Sequence, residues 1–204
     1  MDRALKYIVL ADLVGSTTFT SEFGNDVGIA RTREFEKAAR EPLAYTLPPT
    51  SGKFVKTVGD AVLLVFDHFP DVVSWHLEFQ GALQFSGLSE ETPHLRKERM
   101  EARVWVHAGE VCLEENDLHG LAVNELHKIE TSTKAATPGG QVFLTHLAAE
   151  LARAALYPKN CELKECTEVQ MLGRPTIRLY RLSVTSDFGF LIGAQSKART
   201  NVPQ

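Results

Sequence analysis

Two six-residue runs rich in β-formers, Lys53–Val58 and Ala61–Phe66, are separated only by Gly59-Asp60. A two-residue connection leaves no room for a helix or a crossover, so these runs can pair only with each other, as an antiparallel hairpin. The chain must therefore build a sheet, and it must place Asp60 at the tip of one of that sheet's turns. A further strand is read over residues 7–11, a short apolar run that stops at Asp12, just before Gly15-Ser16-Thr17-Thr18. Helices are expected over 20–40 and 71–85, the second with Trp75 and Phe79 four apart on a core-facing stripe. Residues 48–52 read as a loop, and the polar stretch 86–99 as a connection. The rest reads as a strand at 102–107, a helix at 123–136 stopped by Pro138-Gly139-Gly140, a strand at 141–145 and a helix at 146–155. A last hairpin is expected from 170–171 and 176–182 around Gly173-Arg174-Pro175. Helices alternating with strands, several strands joined as hairpins, predict an α+β domain: a mixed sheet with helices packed on it. That domain is placed at 1–182, with a C-terminal tail at 183–204.

Composition narrows the class. The chain has 204 residues, 44% hydrophobic and 24% charged, enough for one globular domain with a sizeable core. Its net charge of −4 argues against a nucleic-acid partner, so positive charge for any anionic ligand must be local. No apolar run approaches the length of a membrane span, and the first residues carry no apolar stretch of signal length. Cys112, Cys161 and Cys166 are odd in number and fit no zinc spacing, so they read as reduced thiols. A cytoplasmic protein without a membrane partner is expected.

The chemistry gathers at Asp12 and Asp60. Each carboxylate stands where a strand ends or turns, a rigid place from which to face outward. Two such groups repel unless a cation lies between them, which makes a divalent metal the natural resolution. After Asp12, the small residues Gly15, Ser16 and Thr17 let successive backbone N–H groups point at one spot, and the next helix adds its positive end. A phosphate chain fits there. Taken singly, Asp60 is an ordinary turn residue and Asp12 an ordinary helix cap.

Five segments taken in order point further: Val9-Leu10-Ala11-Asp12-Leu13-Val14-Gly15-Ser16-Thr17, then Lys56-Thr57-Val58-Gly59-Asp60-Ala61, Arg103-Val104-Trp105-Val106-His107-Ala108-Gly109-Glu110, His119-Gly120-Leu121-Ala122-Val123-Asn124, and Pro138-Gly139-Gly140-Gln141-Val142. Each is weak alone, but in this order and spacing the chain resembles the class III adenylyl and guanylyl cyclase catalytic domain over roughly residues 5–182. The resemblance implies a ferredoxin-like class III cyclase fold with a mainly antiparallel sheet. It implies cyclisation of a nucleoside triphosphate to a 3′,5′-cyclic monophosphate and pyrophosphate, with two Mg²⁺ or Mn²⁺ ions on Asp12 and Asp60. It makes Lys56 and Asp117 the base-reading pair, Asn124 the residue that orients the ribose, and Arg174 the group that holds the terminal phosphates. It also implies a homodimer with composite sites, the metal aspartates coming from one subunit and the other groups from its partner.

Two positions depart from the family. Lys128 stands where the family has an arginine that meets the transition state, which keeps the charge and loses the planar fork. Trp105 stands where the family strand usually has a glycine, adding bulk beside the expected nucleotide pocket or else facing the core. Lys56 with Asp117 is the adenine-reading combination and favours ATP. The bulk of Trp105, and a layout similar to the Pycsar pyrimidine cyclases of bacterial anti-phage defence, tip the reading narrowly towards UTP and cyclic UMP. A nucleotide-binding dimerisation module without strong catalysis is the rival reading, against which the retention of both aspartates argues. His107, His119 and His127 have no spacing that makes them a metal cluster.

Overall fold

The computed structural model describes residues 3–45, 50–85, 99–155, 161–170 and 176–184. In chain order the elements are β1 (Arg3–Leu13), α1 (Ser16–Phe23), α2 (Asn25–Tyr45), β2 (Lys53–Val58), β3 (Ala61–Phe66) and α3 (Phe69–Phe85). They continue with β4 (Ala102–Leu113), β5 (Leu118–His119), α4 (Leu121–Thr133), β6 (Gln141–Thr145), α5 (His146–Ala154), β7 (Cys161–Val169) and β8 (Ile177–Val184). One sheet contains all the described strands, in the order β2-β3-β1-β4-β6-β8-β7, with β5 paired to β4. Every described pairing is antiparallel except β4 with β6. The expected α+β architecture, a mixed and mainly antiparallel sheet with packed helices, is present.

Strand alternation divides the core in two. Tyr7, Val9, Ala11 and Leu13 of β1 face α2, α3 and α5, where Phe35, Trp75, Phe79 and Ala148 are buried. Trp75 and Phe79 stack with ring centroids 4.8 Å apart, and the Trp75 indole N–H donates to the Ala39 carbonyl at 2.9 Å. Ile8 and Leu10 face the other way, against Leu126 and Ile129 of α4. All six residues of β3 are buried, as expected for a strand covered on both faces, and its unbroken apolar run follows from that. Burying a side chain such as Leu10 or Leu126 contributes about 1.5–3 kcal/mol. Helix α4 sits close on β4: a Cβ on Gly109 would stand 2.5 Å from the Cβ of Ala122.

Beyond longer ends on β1 and β4 and the short β5, which the sequence did not suggest, the elements differ from the sequence expectations in three places. The single helix read over 20–40 is two helices, α1 and α2, divided at Gly24, whose φ of 92° ends the first. The first arm of the last hairpin, expected at 170–171, is β7 at Cys161–Val169; most of its residues are exposed, so its Glu and Lys side chains hide the apolar signal. Strand β8 runs to Val184, two residues past the expected domain limit. The connection at 86–98, the turn holding Arg174, and residues 185–204 of the tail lie outside the described residues. Among the described residues no helix is long and apolar enough to cross a membrane.

Candidate functional site

Asp12 lies near the end of the central strand β1, between Ala61 of β3 and Arg103 of β4 in the pairing register. Alternation puts its side chain on the α4 side with Ile8 and Leu10, and it is only 1% exposed. A carboxylate that deep needs charge partners. Asp12 Oδ2 accepts from Arg103 Nη1 at 3.0 Å, and Oδ1 accepts from Lys134 Nζ at 2.6 Å. Burial pushes the Asp12 carboxyl above its ordinary pKa; Lys134 and Arg103 work against that rise, while nearby Asp60 adds to it. Partial burial opposes the charge on Lys134, but its hydrogen bond to Asp12, with Asp60 and Glu130 adding, raises its pKa above the usual lysine value.

Asp60 is brought to the same place by the β2–β3 hairpin. Gly59 takes φ 62°, a left-handed conformation that suits glycine and turns the chain tightly. The Asp60 carbonyl accepts from the Leu13 N–H at 3.3 Å, tying the hairpin tip to the end of β1. The Asp60 carboxylate accepts from the Ser16 hydroxyl. Helix α1 starts directly after Gly15, whose φ is 70°, and no side chain caps its first turn. The leading N–H groups of a helix have no partner within it and favour an anion. Ser16, Thr17, Gly59 and Asp60 line a groove of about 700 Å³ that also takes in Thr20 and Arg33.

The residues fit the expected metal ions. Asp12 and Asp60 are hard oxygen donors whose mutual repulsion is felt by Asp12. Among the described residues no cluster of three or more His, Cys, Asp or Glu forms a closed cage. Asp60 borders the open groove and Asp12 stands buried behind it, a pair of carboxylates that would suit a cation also held by substrate phosphates once Asp12 is released from its own cationic partners.

The other expected residues fall into separate groups. Lys56 Nζ and Asp117 Oδ1 are 2.6 Å apart, each side chain about two-fifths exposed. Lys56 holds the Asp117 carboxyl below the usual range, helped by the Leu118 N–H at 2.7 Å. Asn124 and Lys128 are exposed one turn apart on α4, away from the buried Val123, Leu126 and Ile129. They thus face outward from the helix whose other side covers the Asp12 face of the sheet. Arg174 lies outside the described residues.

Trp105 requires a correction. It is fully buried, and its indole N–H donates to Thr133 Oγ1 of α4 at 2.9 Å. It sits opposite Leu10 on one side and Phe143 on the other, in the core sealed by α4. It has no surface with which to touch a base, so it is a packing residue and not a substrate-binding one.

Sequence reasoning gave no role to Arg103 or Lys134. Arg103 becomes visible only with the β1–β4 register, and its Nε donates to the Thr137 carbonyl at 2.8 Å. Lys134 follows α4 and is 122 positions from the aspartate it meets. His107 is buried, with Nδ1 2.8 Å from Thr145 Oγ1 and Nε2 3.4 Å from Glu125 Oε2, which ties β4 to α4 beside Asn124. Burial lowers its pKa, with Glu125 working against that.

No protein-family model and no curated protein matches the chain in sequence. Solved structures do resemble it. The adenylate/guanylate cyclase/hydrolase from Silicibacter pomeroyi is 24% identical with a TM-score of 0.60, covering 92% of this chain and 99% of its own. The guanylyl cyclase Cya2 is 21% identical with a TM-score of 0.67, covering 92% and 96%. An adenylate cyclase from Trypanosoma brucei is 17% identical with a TM-score of 0.68, covering 91% of both chains. At these identities the likeness is one of fold, and the chain has the class III fold of the adenylyl and guanylyl cyclase catalytic domains.

Proposed function

We propose that the protein is a nucleotidyl cyclase that converts ATP to 3′,5′-cyclic AMP and pyrophosphate. The observation that carries this reading is the convergence of Asp12 and Asp60 beside the uncapped start of α1, on a cyclase fold. Two divalent ions on these aspartates, Mg²⁺ or Mn²⁺, would acidify the ribose 3′-hydroxyl and neutralise the departing pyrophosphate. Backbone N–H groups at Ser16 and Thr17 receive phosphate oxygens, and Arg174 adds positive charge to the terminal phosphates. The 3′-oxygen attacks the α-phosphorus, its proton passes to water, and the bond to the pyrophosphate oxygen breaks. Attacker and target belong to one molecule, so the protein's task is to fix their alignment. Asn124 holds the ribose, and Lys128 places charge where it grows in the transition state.

Asn124 and Lys128 face outward from α4, while Asp12 is buried on the sheet. We therefore infer a homodimer in which each site joins the aspartates of one subunit to Lys56, Asp117, Asn124 and Lys128 of the other. An ammonium can donate to adenine N1 and a carboxylate can accept from its N6 amino group, which the Lys56–Asp117 pair supplies together. The pyrimidine reading rested on Trp105 filling the base pocket, and its burial withdraws that ground. Cyclic UMP formation and a role in anti-phage defence keep only the similarity of layout behind them.

The test is to incubate the protein with each of the four nucleoside triphosphates and Mn²⁺, and to identify products by mass and phosphorus NMR. Cyclic AMP and pyrophosphate in equal amounts, with ATP the best substrate, are expected. A tenfold preference for UTP would overturn the adenine assignment. No cyclic product from any nucleotide would leave a nucleotide-binding dimerisation module as the better account.

A further inference from the structure

The most unusual group at the candidate site is Lys134. Asp12 has two carboxylate oxygens, and both are already held by cations of this same chain. The charges of Asp12 and Asp60 are balanced by those of Arg103 and Lys134. A divalent ion arriving with all four groups in place would meet no net attraction and find both Asp12 oxygens occupied, so one of the two cationic side chains has to yield.

The two are not equally fixed. Arg103 is 18% exposed, and its guanidinium is anchored a second time on the Thr137 carbonyl. Lys134 is 41% exposed, on a flexible stem at the C-terminal end of α4. It also has somewhere to go: Glu130 Oε1, one turn earlier on the helix, is 3.4 Å from its ammonium. A small rotation of the stem exchanges Asp12 for Glu130 without leaving the lysine unpaired.

We propose that Lys134 is a built-in competitor for the cation site at Asp12, seated on Oδ1 until a divalent ion displaces it towards Glu130. The inference rests on the cyclase reading above for the identity of the incoming ion. The competitor is tethered, so its local concentration does not fall on dilution, and the free metal concentration alone decides which cation is seated. The seated lysine thus lowers the apparent affinity for metal by a constant factor and shifts loading to higher free metal concentration.

The experiment is a Mn²⁺ titration followed by electron paramagnetic resonance. It uses the full-length protein as purified, its Lys134→Met and Lys134→Arg variants, and Asp12→Asn. Removing the charge while keeping the stem should tighten Mn²⁺ binding about two- to fivefold, the weight of a half-exposed ion pair. Lys134→Arg should bind Mn²⁺ no more tightly than the native protein. Without metal, Lys134→Met should melt below the native protein, because Asp12 loses a partner, and saturating Mn²⁺ should narrow that gap. Equal or weaker Mn²⁺ binding by a folded Lys134→Met protein would overturn the proposal. If the native protein binds Mn²⁺, Asp12→Asn abolishes binding and Lys134→Met changes nothing, competition fails and the metal site stands. If neither native nor Lys134→Met protein binds Mn²⁺ at millimolar concentration, both readings fall.

Discussion

Replacing Trp105 by phenylalanine separates a core role from a pocket role. The indole is fully buried between β4 and α4, and its N–H donates to Thr133 Oγ1 at 2.9 Å. Phenylalanine removes that hydrogen bond, worth about 1 kcal/mol between neutral groups. It also leaves a void smaller than the one that makes Trp→Ala cost about 3–5 kcal/mol, so a further 1–2 kcal/mol is reasonable. The expected loss is about 2–3 kcal/mol, read as a lower urea midpoint with an unchanged slope. Thr133 still donates to the Ile129 carbonyl at 2.7 Å, so Thr133→Val tests the same bond from the other side. A double-mutant cycle over Trp105→Phe and Thr133→Val should return a coupling of about 1 kcal/mol. Because Trp105 touches no substrate, the kcat/KM ranking of ATP, GTP, CTP and UTP should be the same in the variant. A loss below about 0.5 kcal/mol together with a changed ranking would refute the burial argument and restore Trp105 to the base pocket.

Three further outcomes follow from the same geometry. Asp60→Ala should abolish cyclisation while shifting the urea midpoint little, because Asp60 is at a turn tip, its loss removes the contact from Ser16, and its attraction to Lys134 is offset by its repulsion of Asp12; full activity in that variant would contradict the metal role. Lys56→Met should lower kcat/KM for ATP by about tenfold or more, the weight of a site hydrogen bond left unpaired on the base, whereas an unchanged value would remove Lys56 from base reading. His76 is buried in α3, and burial lowers its pKa to about 4, so the unfolded chain takes up a proton that the folded chain refuses. Stability should therefore fall as pH drops from about 6.5 to 4, by up to about 3 kcal/mol from this group; urea midpoints of the native protein and His76→Gln across that range should converge at low pH, and parallel curves would contradict the assignment.

How much of this was legible in the sequence depended on whether the signal was local. The β2–β3 hairpin was fully legible, because two residues between two apolar runs permit one pairing, and it carried Asp60 to its place. The stripe of Trp75 and Phe79 was legible for the same reason: a helix repeats its own face. The split between α1 and α2 is marked locally by Gly24-Asn25-Asp26, a glycine stop followed by residues that favour helix starts. Strand β7 was hidden because Glu162, Lys164, Glu165 and Glu168 are exposed along it, so the alternation it carries is mostly polar. The size of Trp105 was visible, but its side of the sheet depended on which face α4 covers. Arg103 and Lys134 were invisible as partners of Asp12, since one needs the strand register and the other the path of α4.

The central claim is that the aspartates of one subunit and the α4 residues of another make one cyclising site. It is tested most directly by mixing Asp60→Ala protein with Asn124→Ala protein, each inactive alone, under conditions in which subunit exchange is shown by differential labelling. A heterodimer then contains one site with both lesions and one with none. Cyclic AMP formation should reappear, reaching at most about a quarter of native activity when exchange is statistical, since half the dimers then carry one intact site each. No cyclic AMP from the exchanged mixture would contradict the account, because it would place Asp60 and Asn124 in the same site of the same chain.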